Sequence, residues 1–309
     1  MSVSASGVCH ADIGTAAASG AGTAFPVTPG HEVAGTIAEL GSGVTGRRLG
    51  GRVAVGWFGG SCGRCAFCRA GDVVHCPDRK VPGRSYPGGW SQSITVPADA
   101  LAAIPDGMDL FDAAPMGCAG VTTFNAIRAA RVPAGGTVAV FGIGGLGHLA
   151  IQFAAAMGYR TIGIARGGDR AEPARALGAC RYIDSTSHDP GSALAELGGA
   201  DLILSTASTT EPVAGLASGL AVHGRLTLIG VDAGTVCVPA APLVMNGQTI
   251  SGHLTGSALD TERTMRFAHD NGIRPMVERV PLEAANDALA RITAGTPRFR
   301  IVLDTRTHG

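Results

Sequence analysis

Four of the eight cysteines crowd into one stretch, SCGRCAFCRAGDVVHC: Cys62, Cys65, Cys68 and Cys76. Their spacing is C-x2-C-x2-C-x7-C. Loops this short can fold four thiolates into a tetrahedron around one Zn2+, and Gly63 and Gly71 permit the tight turns this requires. A site with four protein ligands has no open position, so such a zinc is structural. An iron–sulfur cluster also takes four thiolates, but at other spacings. Disulfides and chance are the remaining explanations. The opening MSVSASGVCHAD has no basic segment followed by an apolar one, so no signal peptide is expected. A cytoplasmic chain keeps its thiols reduced, which argues against disulfides and favours zinc.

A second set is dispersed. Cys9 stands in GVCHAD, His31 and Glu32 in PGHEVAG, and Cys118 in GCAGVTTF. Two Cys, one His and a neighbouring Glu could make a centre with three firm ligands and one open position, the arrangement of a catalytic zinc. Singly, each has an ordinary reading: a His beside an apolar run is usually a packed or surface residue, and a free Cys is usually just buried. Cys180 and Cys237 belong to neither set and are expected to be buried structural thiols.

A third signal is GIGGLG, with Gly142, Gly144 and Gly147 around Gly145 and Leu146. It follows the apolar run 137–141 and precedes an apolar helical stretch, the context in which G-x-G-x-x-G binds a dinucleotide. The first Gly allows the tight turn, the second lets backbone approach a pyrophosphate, and the third lets helix and strand pack closely. The helix N-terminus then faces the anion. A carboxylate at the end of the second strand would select NAD. That strand, TIGIARGG, ends instead in Ala165 and Arg166, so NADP(H) is expected over NAD(H). The competing reading makes Arg166 a solvated loop charge.

These residues need elements to hold them. The 309 residues are enough for two domains. Formal net charge is zero and only 16% of residues are charged, so no nucleic-acid or membrane partner is expected. No apolar run reaches the ~18 residues of a membrane helix. Residues 1–117 are rich in Gly, Pro and Cys, with short β-like runs such as EVAGTIAEL and GRVAVGWF, and are expected to be all-β. Residues 118–253 alternate apolar strands with Ala-rich helices, which predicts a doubly wound parallel sheet. The strand runs there are TVAVF, TIGIA, CRYID, ADLILS, GRLTLIGV and QTISGH. The tail, 254–309, carries predicted helices at DTERTMRFAHD and LEAANDALARITAG and a strand at FRIVLDT.

Taken together, GVCHAD, PGHEVAG, CGRCAFC…HC, GCAGVTTF, GIGGLG and FRIVLDT resemble the zinc-dependent medium-chain alcohol dehydrogenases, including their microbial and cinnamyl branches. The resemblance runs from Gly7 to Asp304. It implies an α/β protein: a GroES-like catalytic domain over 1–117, to which 254–309 returns, and a Rossmann domain over 118–253. It implies two zincs per chain, hydride transfer between a primary alcohol or aldehyde and NAD(P), and homodimers or homotetramers. Cys9, His31 and Cys118 match the catalytic zinc ligands, and Glu32 the carboxylate that can approach the metal. Asp12 matches the group orienting the ligand His. Cys62, Cys65, Cys68 and Cys76 match the structural lobe. His10 and Arg300 match basic positions near the pyrophosphate, and Thr122 a residue beside the nicotinamide.

Two departures stand out. Many relatives carry a Ser or Thr and often a His at the positions of Ala11 and Gly14, where they pass the alcohol proton to solvent. Neither residue here can do so, and a relay through water or the ribose hydroxyl is expected. Relatives also carry several strands before GVCH, where only eight residues precede Cys9. The expectation is that Cys9 loses its brace, and that either the true start lies upstream or the chain is a shortened and inactive form. The alternative function is therefore a non-catalytic nucleotide-binding or structural protein, as lens crystallins on this scaffold are. The zinc-free quinone and enoyl reductase branch lacks the Cys and His ligands that this chain keeps. Trp57 and Phe58 could line a substrate site or pack in the core.

Overall fold

The computed structural model describes residues 1–17, 26–230 and 233–306. The chain divides into two compact units, Met1–Val121 with Thr255–Gly309, and Thr122–Leu254.

The first unit is built on a six-stranded sheet. In chain order its strands are β1 (Ser2–Val8), β2 (Val33–Thr36), β3 (Arg52–Val55), β4 (Ala102–Ala103), β11 (Val277–Pro281) and β12 (Arg300–Asp304). Their spatial order is β11-β12-β1-β2-β3-β4, so the tail supplies the far edge. Val3, Val33, Ile37, Val53, Val55, Ile94 and Leu101 form one apolar core, and Val8, Ala288, Ile301 and Leu303 another. Each removes apolar area from water at roughly 25 cal/mol per Å2. Ser2–Val8, which carried no strand expectation, is a central strand bonded antiparallel to β12 on one side and β2 on the other. Cys9 directly follows it. The expected loss of a brace for Cys9 is corrected by this double pairing.

This unit is also not all-β. Helices run over His10–Ala16, Ala66–Arg69 and Leu110–Pro115. Such elements are too short for apolar periodicity to reveal; their caps define them. At the first, Cys9 is the N-cap residue and the Asp12 carboxylate accepts its backbone N–H at 2.9 Å. In the tail, the expected helices appear as Ala258–Asp270 and Ala285–Thr293. Ser257 opens the former with a capping box closed by Asp260.

The second unit is a parallel sheet with β5 (Thr137–Phe141), β6 (Arg160–Ala165), β7 (Arg181–Asp184), β8 (Ala200–Ser205), β9 (Leu220–Leu228) and β10 (Thr249–Gly252). Its spatial order is β10-β9-β8-β5-β6-β7. Read from the other edge this is the 3-2-1-4-5-6 order of a dinucleotide-binding sheet, whose direction of winding reverses between β5 and β8. The strand expected at GRLTLIGV begins earlier, at Leu220, and Val231 of that run lies outside the described residues. Buried strand residues such as Ala139, Ile162, Ile164, Ile203 and Leu226 pack with Leu194 and Leu216 from helices. Continuous apolar strands follow from coverage on both faces.

Candidate metal centres and nucleotide turn

Cys9, His31, Glu32 and Cys118 come together within the first unit. Their ligand atoms, one from each side chain, all lie within 4.8 Å of one another. Three elements deliver them. Cys9 sits where β1 gives way to helix His10–Ala16. His31 and Glu32 lead into β2. Cys118 sits on a π-helical turn, Met116–Gly120, between helix Leu110–Pro115 and helix Val121–Ala130. Such turns insert a residue into a helix and recur at functional sites.

Asp12 holds this centre by both oxygens. Oδ1 meets His31 Nδ1 at 3.0 Å, and Oδ2 accepts the Cys9 N–H at 2.9 Å. One carboxylate thereby orients a candidate ligand ring and the backbone of a candidate ligand Cys. The other ring nitrogen, His31 Nε2, is buried and has no hydrogen-bond partner. An orphaned imidazole nitrogen among two sulfurs and a carboxylate is what a metal ligand looks like, and the donor set suits zinc.

The electrostatics agree. Cys118 and the charge of the His31 ring beside it hold the Cys9 thiol well below its ordinary value, although burial opposes this. Cys118 is pushed well up by its bond to Cys9 and by burial. Burial works against a charge on His31, but Asp12 and Cys9 outweigh it and raise its pKa well above the usual range. Burial pushes Glu32 up to about 7 against the pull of Arg300.

Behind the centre, Arg300 Nη2 donates to both oxygens of Glu32. Both residues are buried, at 4% and 0% exposure, so each is the other's charge partner. Breaking one half of such a pair costs about 3–5 kcal/mol. His10 is exposed at the start of its helix, and Ala11 beside it is exposed too. Phe58 is core, while Trp57 is half-buried with the Arg79 guanidinium 5.6 Å from its ring centroid.

Cys62, Cys65, Cys68 and Cys76 form the second centre, again with their sulfurs within 4.8 Å of one another. Cys62 and Cys68 Sγ are 4.0 Å apart, close to the roughly 3.8 Å edge of a tetrahedron with 2.3 Å zinc–sulfur bonds. Backbone N–H groups of Cys62, Cys65 and Cys68 donate to Cys76, Cys62 and Cys65 sulfurs, each at 3.4 Å. The N–H groups of Arg64 and Cys65 bring the Cys62 thiol down to about 6. Cys68 is lowered first by Ser61. Contacts among the four sulfurs are those of ligands around one ion, and the residues fit zinc. Cys180 and Cys237, expected to be buried, are exposed. Cys180 follows a turn at the mouth of β7, and its thiol donates to Thr161 O at 3.2 Å.

The second unit presents the turn Gly142–Gly147 at the end of β5, before helix Gly147–Ala156. A Cβ on Gly147 would stand 1.9 Å from the Gly142 carbonyl oxygen, so only glycine allows this helix to start so close to the strand. A Cβ on Gly144 would meet nothing within 4 Å, which leaves its backbone open to a ligand. The intervening Gly145 and Leu146 complete the turn. Thr206, after β8, donates to Gly142 O at 2.7 Å, and Arg170 Nη1 donates to Ile143 O. Neither was singled out from sequence. The signal for Arg170 was its place in the same turn as Arg166, five residues past the end of β6. Thr122 is buried near the start of its helix.

Comparison with known proteins finds relatives along nearly the whole chain. The family model of the alcohol dehydrogenase GroES-like domain matches residues 1–106, and that of the zinc-binding dehydrogenases matches residues 145–270. An alcohol dehydrogenase of Penicillium expansum, patD, is 41% identical over 303 residues, covering 98% of this chain and 88% of that protein. The cinnamyl alcohol dehydrogenase SbCAD4 of Sorghum bicolor superposes with a TM-score of 0.88 at 30% identity, over 98% of this chain and 89% of that one. The CAD of Helicobacter pylori, complexed with NADP(H), superposes with a TM-score of 0.88 at 27% identity, over 98% of this chain and 89% of that one.

Proposed function

The chain belongs to the zinc-type medium-chain alcohol dehydrogenase family, and from that premise we propose which of its residues carry the reaction. It is an oxidoreductase that transfers a hydride between an alcohol and NAD(P), with zinc as its metal. The observation that carries the assignment of residues is the convergence of Cys9, His31, Glu32 and Cys118 around the unpartnered His31 Nε2.

In this reading Cys9 Sγ, His31 Nε2 and Cys118 Sγ hold the catalytic zinc, with Glu32 able to approach it. When bound, the metal polarises the substrate oxygen and the nicotinamide gives or takes the hydride. The two sulfurs supply negative charge that offsets the dication. Asp12 keeps the His31 proton on Nδ1, so that Nε2 faces inward as a neutral donor. Arg300 would hold the Glu32 carboxylate by both of its oxygens. Cys62, Cys65, Cys68 and Cys76 hold a second, structural zinc, for two per chain.

For the cofactor, the Gly142–Gly147 turn takes the pyrophosphate, His10 and Arg300 are candidate basic partners of the dinucleotide, and Thr122 is a candidate partner of its nicotinamide. The absence of a carboxylate at Ala165, with Arg166 following, supports NADP(H) over NAD(H). Primary alcohols and aldehydes are the proposed substrates. Val244 and Met245, 78% and 82% exposed, lie on helix Ala240–Asn246, and β10 is a sheet edge. Both support a homodimer or homotetramer. Among the described residues no helix is long and apolar enough to cross a membrane. Two thiolate centres support residence in the reducing cytoplasm.

The test is zinc per chain by inductively coupled plasma mass spectrometry, with NADPH formation from a panel of primary alcohols. Two zincs and alcohol-dependent NADPH are expected. A single zinc, kept by the wild type and by Cys9→Ser alike, with no alcohol-dependent reduction of either dinucleotide, would overturn the assignment.

A further inference from the structure

The turn that follows β6 is tied down from an unexpected side. Tyr182 and Asp184 lie on the edge strand β7, parallel to β6, with Asp184 opposite Ala165. The Tyr182 hydroxyl is shared between Ala165 O, at 3.2 Å, and Gly167 O. Asp184 Oδ1 accepts the Gly167 N–H at 2.8 Å. The Ser185 N–H adds a bond to Ala165 O at 3.0 Å. Two side chains of β7 therefore spend their polar groups on the backbone of the turn.

Gly167 has φ +79°, a left-handed conformation that a turn must be held in. Asp184 is itself fixed: its Oδ1 accepts the Thr186 N–H at 2.9 Å and the Thr186 hydroxyl at 2.7 Å. On the other side, Arg170 Nη1 donates to Ile143 O inside the glycine turn. Residues 165–170 are thus strung between β7 and the pyrophosphate turn. In a sheet of this order, the end of the second strand is where the adenosine ribose is read.

We propose that Tyr182 and Asp184 are positioning residues that shape the 165–170 turn to read the ribose 2′ substituent, and so set the choice between phosphorylated and unphosphorylated dinucleotides. The proposal rests on the reading of Gly142–Gly147 as the dinucleotide turn and of Arg166 as a phosphate partner. Arg166 and Arg170 supply positive charge, and the clamp decides where the backbone presents it. Burial, with Asp184 and Asp169, pushes the Tyr182 phenol up from its ordinary value.

The test is calorimetric titration of the full-length protein with NADPH and with NADH, for wild type, Tyr182→Phe, Asp184→Ala and Asp184→Asn. Tyr182→Phe removes only the hydroxyl. It should weaken NADPH binding roughly three- to tenfold, the effect of one hydrogen bond, and weaken NADH less. Asp184→Ala should weaken NADPH similarly. Asp184→Asn keeps an acceptor for Gly167 and removes a negative charge, so it should bind NADPH at least as tightly as wild type. Unchanged Kd values in Tyr182→Phe and Asp184→Ala would overturn the clamp. So would an equal loss for both dinucleotides that Asp184→Asn does not rescue, since that is a fold effect. If the wild type favours NADH, the 2′-phosphate reading fails by itself. The clamp then stands if the same variants shift the NADH Kd with rescue by Asp184→Asn, and falls if they do not.

Discussion

Gly56→Ala should empty the catalytic centre while leaving the structural one filled. Gly56 follows β3 and passes the π-helical turn that carries Cys118. A Cβ there would stand 1.8 Å from the Gly117 carbonyl oxygen, 2.5 Å from its carbon and 2.9 Å from its Cα. All three are backbone atoms, so no rotamer change can relieve the clash. Ordinary contact begins near 3.4 Å, so the two segments must separate by about 1.6 Å. The Trp57 N–H bond to Gly117 O, at 3.3 Å, is part of the same contact. β3 is held in the sheet by β2 and β4, so the turn is the segment that yields. Cys118 is the next residue. A metal site tolerates ligand errors of only about 0.2 Å. Overpacking itself costs about 1–3 kcal/mol, which a folded domain of ~5–15 kcal/mol survives. The assay is zinc per chain after dialysis, with circular dichroism as a control for folding. Two zincs in the wild type and one in Gly56→Ala are expected, with catalysis lost. A folded Gly56→Ala with both zincs and wild-type turnover would refute the reasoning, because the turn would then not be what positions Cys118.

Three further outcomes are expected. Asp12→Ala frees the His31 ring and the Cys9 N–H together, and should lower zinc affinity at the catalytic centre about 10- to 100-fold, read by competition with a chromogenic chelator. Cys65→Ser should reduce bound zinc by one per chain and lower Tm by several degrees, with the remaining zinc still at the catalytic centre. Asp109→Ala should cost about 0.5–1 kcal/mol at pH 7, the low end for an N-cap, because the side chain is 42% exposed. Burial would raise the Asp109 carboxyl, but the Phe111 N–H and Arg279 outweigh it and hold it below the ordinary value. A depressed folded pKa means stabilisation that is complete above about pH 4 and disappears as pH falls through the folded value. The Tm gap between wild type and Asp109→Ala should therefore be full at pH 7 and close in strong acid.

The residues of the two centres were legible because metal chemistry demands particular side chains. Four cysteines in sixteen positions have few other uses, and G-x-G-x-x-G between an apolar strand and helix has one dominant use. What sequence could not supply was the short elements. Helix His10–Ala16 is seven residues long, too brief for a periodic pattern, and its start is set by Asp12 reaching back to Cys9. Five of the seven residues of the strand Ser2–Val8 are Ser, Gly or Ala, and only its pairing with β2 and with β12 from the far end of the chain makes it central. That pairing places Cys9 at the end of a strand bonded on both sides. The tail strand fixes β1, β1 fixes Cys9 and lies beside the strand that His31 and Glu32 enter, and Arg300 of the same tail strand neutralises Glu32. Of the proposed ligands, Glu32 is thus paired with a residue 268 positions away, and although the motif FRIVLDT singles out Arg300, its spacing does not show this partner.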